Sequence, residues 1–193
     1  MAGLTLSKGG NLSLTKTDPG LVRVNVGLGW DPRSTTGDTF DLDASALLLG
    51  VDGKVRSDSD FIFYNQPSTP DGTVVHKGDN RSGAGDGDDE LIAVDLSQLP
   101  ADVARIIFVV SIDQADIRRQ NFGQVRGAYC RILNQDTDVE VVRYDLSEDA
   151  APETCMIFSE LYRYNGEWKF KAVGQGYASG LAGVAADFGI QLS

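Results

Sequence analysis

A chain of 193 residues with 41% hydrophobic side chains is long enough to fold as one domain, burying about 70% of its unfolded surface without covalent staples. Its formal charge of −11, from 28 acids against 17 bases, argues against nucleic acid, whose phosphates are bound by Lys and Arg, and against unaided docking on anionic lipid. Cys130 and Cys155 are too few and too far apart for a disulfide framework or a zinc site, which points to a reducing cytoplasm.

The opening MAGLTLSKGG carries no apolar signal core, and no run approaches the roughly eighteen apolar residues of a membrane span. Neither ordinary export nor direct membrane insertion is therefore expected. Period-two alternation predicts strands at 21–28 (LVRVNVGL) and 41–49 (DLDASALLL). The more continuous apolar run FIFY (61–64) fits a strand covered on both faces, LIAVDL (91–96) alternates again, and RIIFVVSI (105–112) fits the centre of a sheet. A short helix is expected over Ala115 to Gln120, a strand over 140–146 (EVVRYDL) and a second short helix after Ser147. In 160–177, Asn165-Gly166 separates two alternating aromatic arms, the sequence pattern of a two-residue hairpin turn. An amphipathic helix from Ser179 to Phe188 closes the chain. Many short strands with turn punctuation, no internal repeat and no linker predict a mainly β fold. It is a β-sandwich of two mostly antiparallel sheets with a few short helices, forming one domain over 1–193.

The charge is concentrated. Residues 31–90 hold twelve Asp and one Glu against Arg33, Lys54, Arg56, Lys77 and Arg81, a balance of −8. The stretch HKGDNRSGAGDGDDE (76–90) packs five carboxylates and four glycines into fifteen positions. Hard anionic oxygens on a backbone free to curl suit calcium, which takes six to eight oxygens, carbonyls included, in loose geometry. Left bare, Asp86, Asp88, Asp89 and Glu90 would repel one another and oppose folding, and a bound cation would relieve that. The loop is not an EF-hand, since the third and fifth positions from Asp79 are Arg81 and Gly83. Nor is it a phosphate cradle: GAGDGD lacks the third glycine of the dinucleotide motif and its carboxylates would repel phosphate.

In DLDASA, Asp41 and Asp43 lie two residues apart, so on a strand they share one face about 6.6 Å apart, opposite Leu42, Ala44 and Ala46. Asp31, after Trp30, is a further candidate ligand. The pair could instead cap strand ends or meet Arg33 and Arg56, while Trp30 and Trp168 read as packing residues. Clustered carboxylates could also hold Mg²⁺ or Mn²⁺ for phosphoryl transfer or hydrolysis, but the motif segments supply no nucleophile or cationic clamp for it. His76, the lone histidine, would need a serine that no G-x-S-x-G elbow marks. The expectation is a protein that is not an enzyme; the alternatives are such a metal-dependent enzyme, or a scaffold that calcium merely stabilises.

Eight segments in order are SKGGNLSL (7–14), GLGWDPRSTTG (27–37), TFDLDASA (39–46), FIFYNQ (61–66), GDNRSGAGDGDDE (78–90), NFGQV (121–125), RYDLSEDA (143–150) and ELYRYNGEWKFKAVGQGYASGL (160–181). Together they resemble the bacterial TerD family of tellurium-resistance and general stress proteins from end to end. The resemblance implies a cytoplasmic β-sandwich that binds calcium, here as two adjacent ions, with no established enzyme activity. It carries the acidic motifs onto Asp41, Asp43, Asp79, Asn80, Asp86, Asp88, Asp89 and Glu90, with Asp31 and Asn65 as neighbours. The implied partners are other proteins of a tellurite-resistance operon, a membrane protein among them, which would hold the chain at the inner face of the membrane.

Overall fold

The computed structural model describes residues 3–32, 35–78, 83, 87–146 and 152–191. In chain order the strands are β1 (Leu4–Leu6), β2 (Asn11–Ser13), β3 (Arg23–Gly29), β4 (Leu42–Leu49), β5 (Phe61–Ile62), β6 (Val74–Gly78) and β7 (Glu90–Asp95). They continue as β8 (Arg105–Ile112), β9 (Tyr129–Asn134), β10 (Glu140–Asp145), β11 (Cys155–Tyr164) and β12 (Glu167–Tyr177). Three helices accompany them: α1 (Leu14–Thr17), α2 (Ala115–Arg118) and α3 (Gly180–Phe188).

Two six-stranded sheets result, in the orders β1-β10-β9-β3-β7-β6 and β2-β12-β11-β8-β4-β5. All the pairings are antiparallel except β1 with β10. This is the expected sandwich. Alternation decides which side chains lie between the sheets: Val24, Val26 and Leu28 of β3 meet Leu42, Ala44 and Ala46 of β4 and Ile106, Phe108 and Val110 of β8 in one core. The run 105–112 is apolar throughout because both its faces are covered. Ile107 and Val109 point outward into a second cluster with Leu47, Leu49 and Ile157, under Val184 and Ala185 of α3. Asn165 (φ 50°) and Gly166 (φ 76°) make the left-handed pair that the β11–β12 turn requires.

Differences from the expected elements are local. The strand expected over 61–64 pairs only at Phe61–Ile62, because the chain turns back at once through reciprocal Phe63–Gln66 hydrogen bonds of 3.1 and 3.0 Å. Strand β6 is not signalled, since His76 and Lys77 interrupt its apolar periodicity, whereas the strand-like segment 127–133 (GAYCRIL) becomes β9. The helix expected after Ser147 falls on residues outside those described. Among the described residues, no helix is long and apolar enough to cross a membrane.

Phe158 is fully buried in the inter-sheet core, edge-on to Tyr144 from the opposite sheet at 5.4 Å between centroids. Phe158→Ala should destabilise the chain by about 3–5 kcal/mol in urea unfolding, as large core truncations do. A loss below about 1 kcal/mol would contradict this packing.

Candidate functional site

The antiparallel register brings the end of β3, the starts of β4 and β7 and the end of β8 to one end of the sandwich: Leu28 faces Glu90, and Leu42 faces Ile112. Most of the candidate residues gather there. Asp41 and Asp43 project outward from the second sheet, opposite in direction to Leu42, Ala44 and Ala46, which lie in the core. Asp43 is half-buried beside its cross-strand partner Ser111, and Asp41 is 9% exposed while its carbonyl accepts the Asp113 amide at 2.8 Å. Gln120, itself buried, fixes the approach to β4 by donating its Nε2 to the carbonyls of Asp38 (2.9 Å) and Thr39 (3.2 Å).

Asp88, Asp89 and Glu90 enter β7 in succession, and each takes a different direction. Asp88 folds onto the outer face of the first sheet, its Oδ1 accepting from Arg131 Nε at 2.8 Å and from the Tyr129 hydroxyl at 2.9 Å. Asp89 is held at the sheet's end: its amide donates to the Leu28 carbonyl (2.8 Å) and its Oδ2 accepts the Trp30 amide (3.0 Å). Glu90 points between the sheets, with its side chain 1% exposed, and meets His76 Nε2 at 2.9 Å. The lone histidine therefore faces inward as the partner of a buried carboxylate. Gly83 lies against the indole of Trp30, where a Cβ would come within 2.5 Å of Nε1.

Asp31 is exposed, its amide bound to the Arg126 carbonyl and its carboxylate lying against Gly127. Asn65 is exposed at the tip of the Phe63–Gln66 turn, on a hairpin whose pairing with β4 runs toward the start of that strand. Asp79, Asn80 and Asp86 lie outside the described residues. Asp43 and Asp88 occupy the outer faces of different sheets, so the structure does not bring these two together. Among the described residues, no three His, Cys, Asp or Glu side chains converge on a common point suited to a metal ion.

Sequence reasoning missed Tyr129, Arg131 and the role of His76. The available signal was the pair Gly27 and Gly29, two glycines on the outward face of a strand whose inward face, Val24, Val26 and Leu28, is apolar. Burial, with the hydrogen bond to Asp88 second, pushes the Tyr129 hydroxyl up to about 12 and keeps it a donor. Both thiols are also pushed up to about 12 by burial; Cys130 Sγ sits 3.3 Å from Ser159 Oγ in the core and Cys155 beneath α3.

The TerD domain family model matches residues 1–188. The chain is 62% identical over 190 residues to tellurium resistance protein TerD of Serratia marcescens, covering 98% of this chain and 99% of that protein. It is 54% identical over 190 residues to general stress protein 16U of Bacillus subtilis, covering 98% of each. A crystal structure of a homologue of telluride resistance protein TerD from Streptomyces coelicolor A3(2) superposes with a TM-score of 0.68 at 26% identity, covering 86% of this chain and 96% of that one.

A thiol held above its ordinary range contributes stability that is full below that range and is lost as pH rises through the folded value. Stability should therefore fall between about pH 9 and 12 through Cys130 and Cys155, with Tyr129 adding to the upper part of that window. The double variant Cys130→Ala/Cys155→Ala should show a shallower alkaline decline in denaturant melts taken across that range. An unchanged pH profile would rule the thiols out as its source.

Proposed function

The chain belongs to the TerD family, whose members include tellurium-resistance and general stress proteins, and on that premise we propose that it is a calcium-binding stress-response protein that acts through protein contacts. The observation that carries the reading is the donor set at one end of the sandwich. Asp41, Asp89 and Glu90 are buried there, with Asp43 half-buried alongside. A set of oxygen donors only suits calcium far better than a thiophilic metal.

Glu90 meets His76, and Asp88 meets Arg131 and Tyr129, so these two would support the site from behind. Asp41 and Asp43 would hold the ion from the β4 side, Asp89 from the β7 side, and Asp31 and Asn65 from the rim. Asp79, Asn80 and Asp86 would complete the oxygen shells of one or two ions. Calcium would supply charge neutralisation and a rigid link between connections that otherwise repel. A binding role is favoured over a catalytic one, because both thiols are buried and held protonated and the lone histidine is tied to Glu90. The cellular setting consistent with this reading is the cytoplasm, at the inner face of the membrane through a partner protein.

Calcium titration by calorimetry, repeated with magnesium, tests the proposal. Saturating calcium at 100 times its dissociation constant should stabilise the fold by about 2.7 kcal/mol. Magnesium should compete poorly, since it demands compact octahedral geometry and retains its waters. Asp43→Asn should weaken calcium binding about tenfold or more, whereas Asp58→Asn, in the short turn before β5, should leave it unchanged. Identical melting curves with calcium and with chelator would refute calcium binding.

A further inference from the structure

The acidic loop returns to the sheet through Gly87 and Asp88, and the outer face of the first sheet is built to receive it. Gly27 and Gly29 of β3 leave a trough between neighbouring strands. A Cβ on Gly27 would lie 2.2 Å from Asp88 Oδ2, and one on Gly29 would lie 2.4 Å from the Tyr129 ring. Both side chains thus lie flat where any residue other than glycine would expel them. The Tyr129 hydroxyl reaches the Gly87 carbonyl at 3.1 Å as well as Asp88, and Arg131 spans from Asp88 to Glu140 Oε2 at 3.2 Å. Arg143 covers the outer side of the Tyr129 ring at 3.9 Å.

We propose that Tyr129 and Arg131 are positioning residues that clamp the exit of the acidic loop and so set the geometry of the carboxylates at 89 and 90. Asp88 and Glu90, two residues apart, would share one face on a continuous strand, so the hold on Asp88 keeps the chain out of strand alternation just before β7 and leaves Asp89 at the Trp30 amide and Glu90 against His76. Released, the strand could extend back through Asp88 and draw Asp88 and Glu90 to one face. The clamp controls the site without contributing an atom to the ion. Its effect on calcium affinity rests on the reading proposed above; its effect on the loop exit does not.

Two measurements on the full chain test it. Hydrogen–deuterium exchange of the Asp89 amide, which donates to Leu28, reports the loop exit, with the β8 amides as the internal standard. Calorimetry with calcium chloride reports the site. Arg131→Gln and Gly27→Ala should each raise exchange at Asp89 about tenfold while β8 stays protected, and should weaken calcium binding about tenfold, in the range found when groups behind a metal ligand are removed. Arg131→Lys, which keeps the charge but loses the planar fork, should fall between wild type and Arg131→Gln. Unchanged exchange at Asp89, or exchange raised equally in β8, would overturn the clamp. A wild type that binds calcium with an affinity untouched by both variants would overturn its positioning role. A wild type that binds no calcium would sink the calcium reading alone, and exchange would still decide the clamp.

Discussion

Three consecutive carboxylates cannot share one environment at the end of a sheet without strong mutual repulsion, and the way this chain separates them governs the rest of the site. Asp88 is sent outward to Arg131, Asp89 to the Trp30 amide at the sheet's end, and Glu90 inward to His76. A departure from strand alternation at Asp88, which precedes β7, does the separating, and each acid meets a donor of its own. A hydrogen bond involving a charged group contributes about 1.5–3 kcal/mol net, whereas a buried charge stripped of its partner costs more than that gain. The arrangement is therefore stable only when complete, so Tyr129, Arg131, Trp30 and His76 belong to the acidic motif as much as its aspartates do.

That requirement explains features that look unrelated along the chain. Gly27 and Gly29 are small so that Asp88 and Tyr129 can lie on β3, and Gly83 lies where a Cβ would strike the Trp30 indole. Arg131 and Arg143 stand directly opposite each other on β9 and β10, a like-charge pair that would be unfavourable alone. Asp88 and Glu140 offset the first and Asp145 the second, while the Tyr129 ring takes up the guanidinium of Arg143. The outer face of the first sheet is thus a polar lattice with the loop exit as one of its members. The second sheet buries its middle under α3 instead, leaving Asp41 and Asp43 beyond the helix at the strand's beginning.

Much of this was legible in the sequence, for physical reasons that differ between elements. Strands β3, β4, β7, β8 and β10 were found because one or both of their faces are apolar with period two or one, and the β11–β12 hairpin because Asn165-Gly166 alone fits its turn. Strand β6 was missed because it carries a group that answers the acids, His76, and in the strand-like 127–133 the roles of Tyr129 and Arg131 toward the acids were not visible. A strand whose polar residues are satisfied by a loop from elsewhere has no periodic signature of its own. The same blindness affected the site. In the sequence 86–90 is one block of charge, and only the hydrogen-bond partners show that Asp88, just before β7, and Glu90 point to opposite faces of the sheet.

The division of labour among these acids bears on how a cation could couple to the fold. Asp41 and Asp43 precede and open β4 in the second sheet, while Asp89 opens β7 in the first, so an ion drawing on both sides would bridge the two sheets at the end where their connections cross. Its binding free energy would then be folding free energy for those connections, in the manner of metal sites that do not pre-exist in the unfolded chain. Acids already bonded to Arg131 and His76 would add little to that coupling, however close they lie in sequence. Those acids would instead hold the backbone in register to receive the ion.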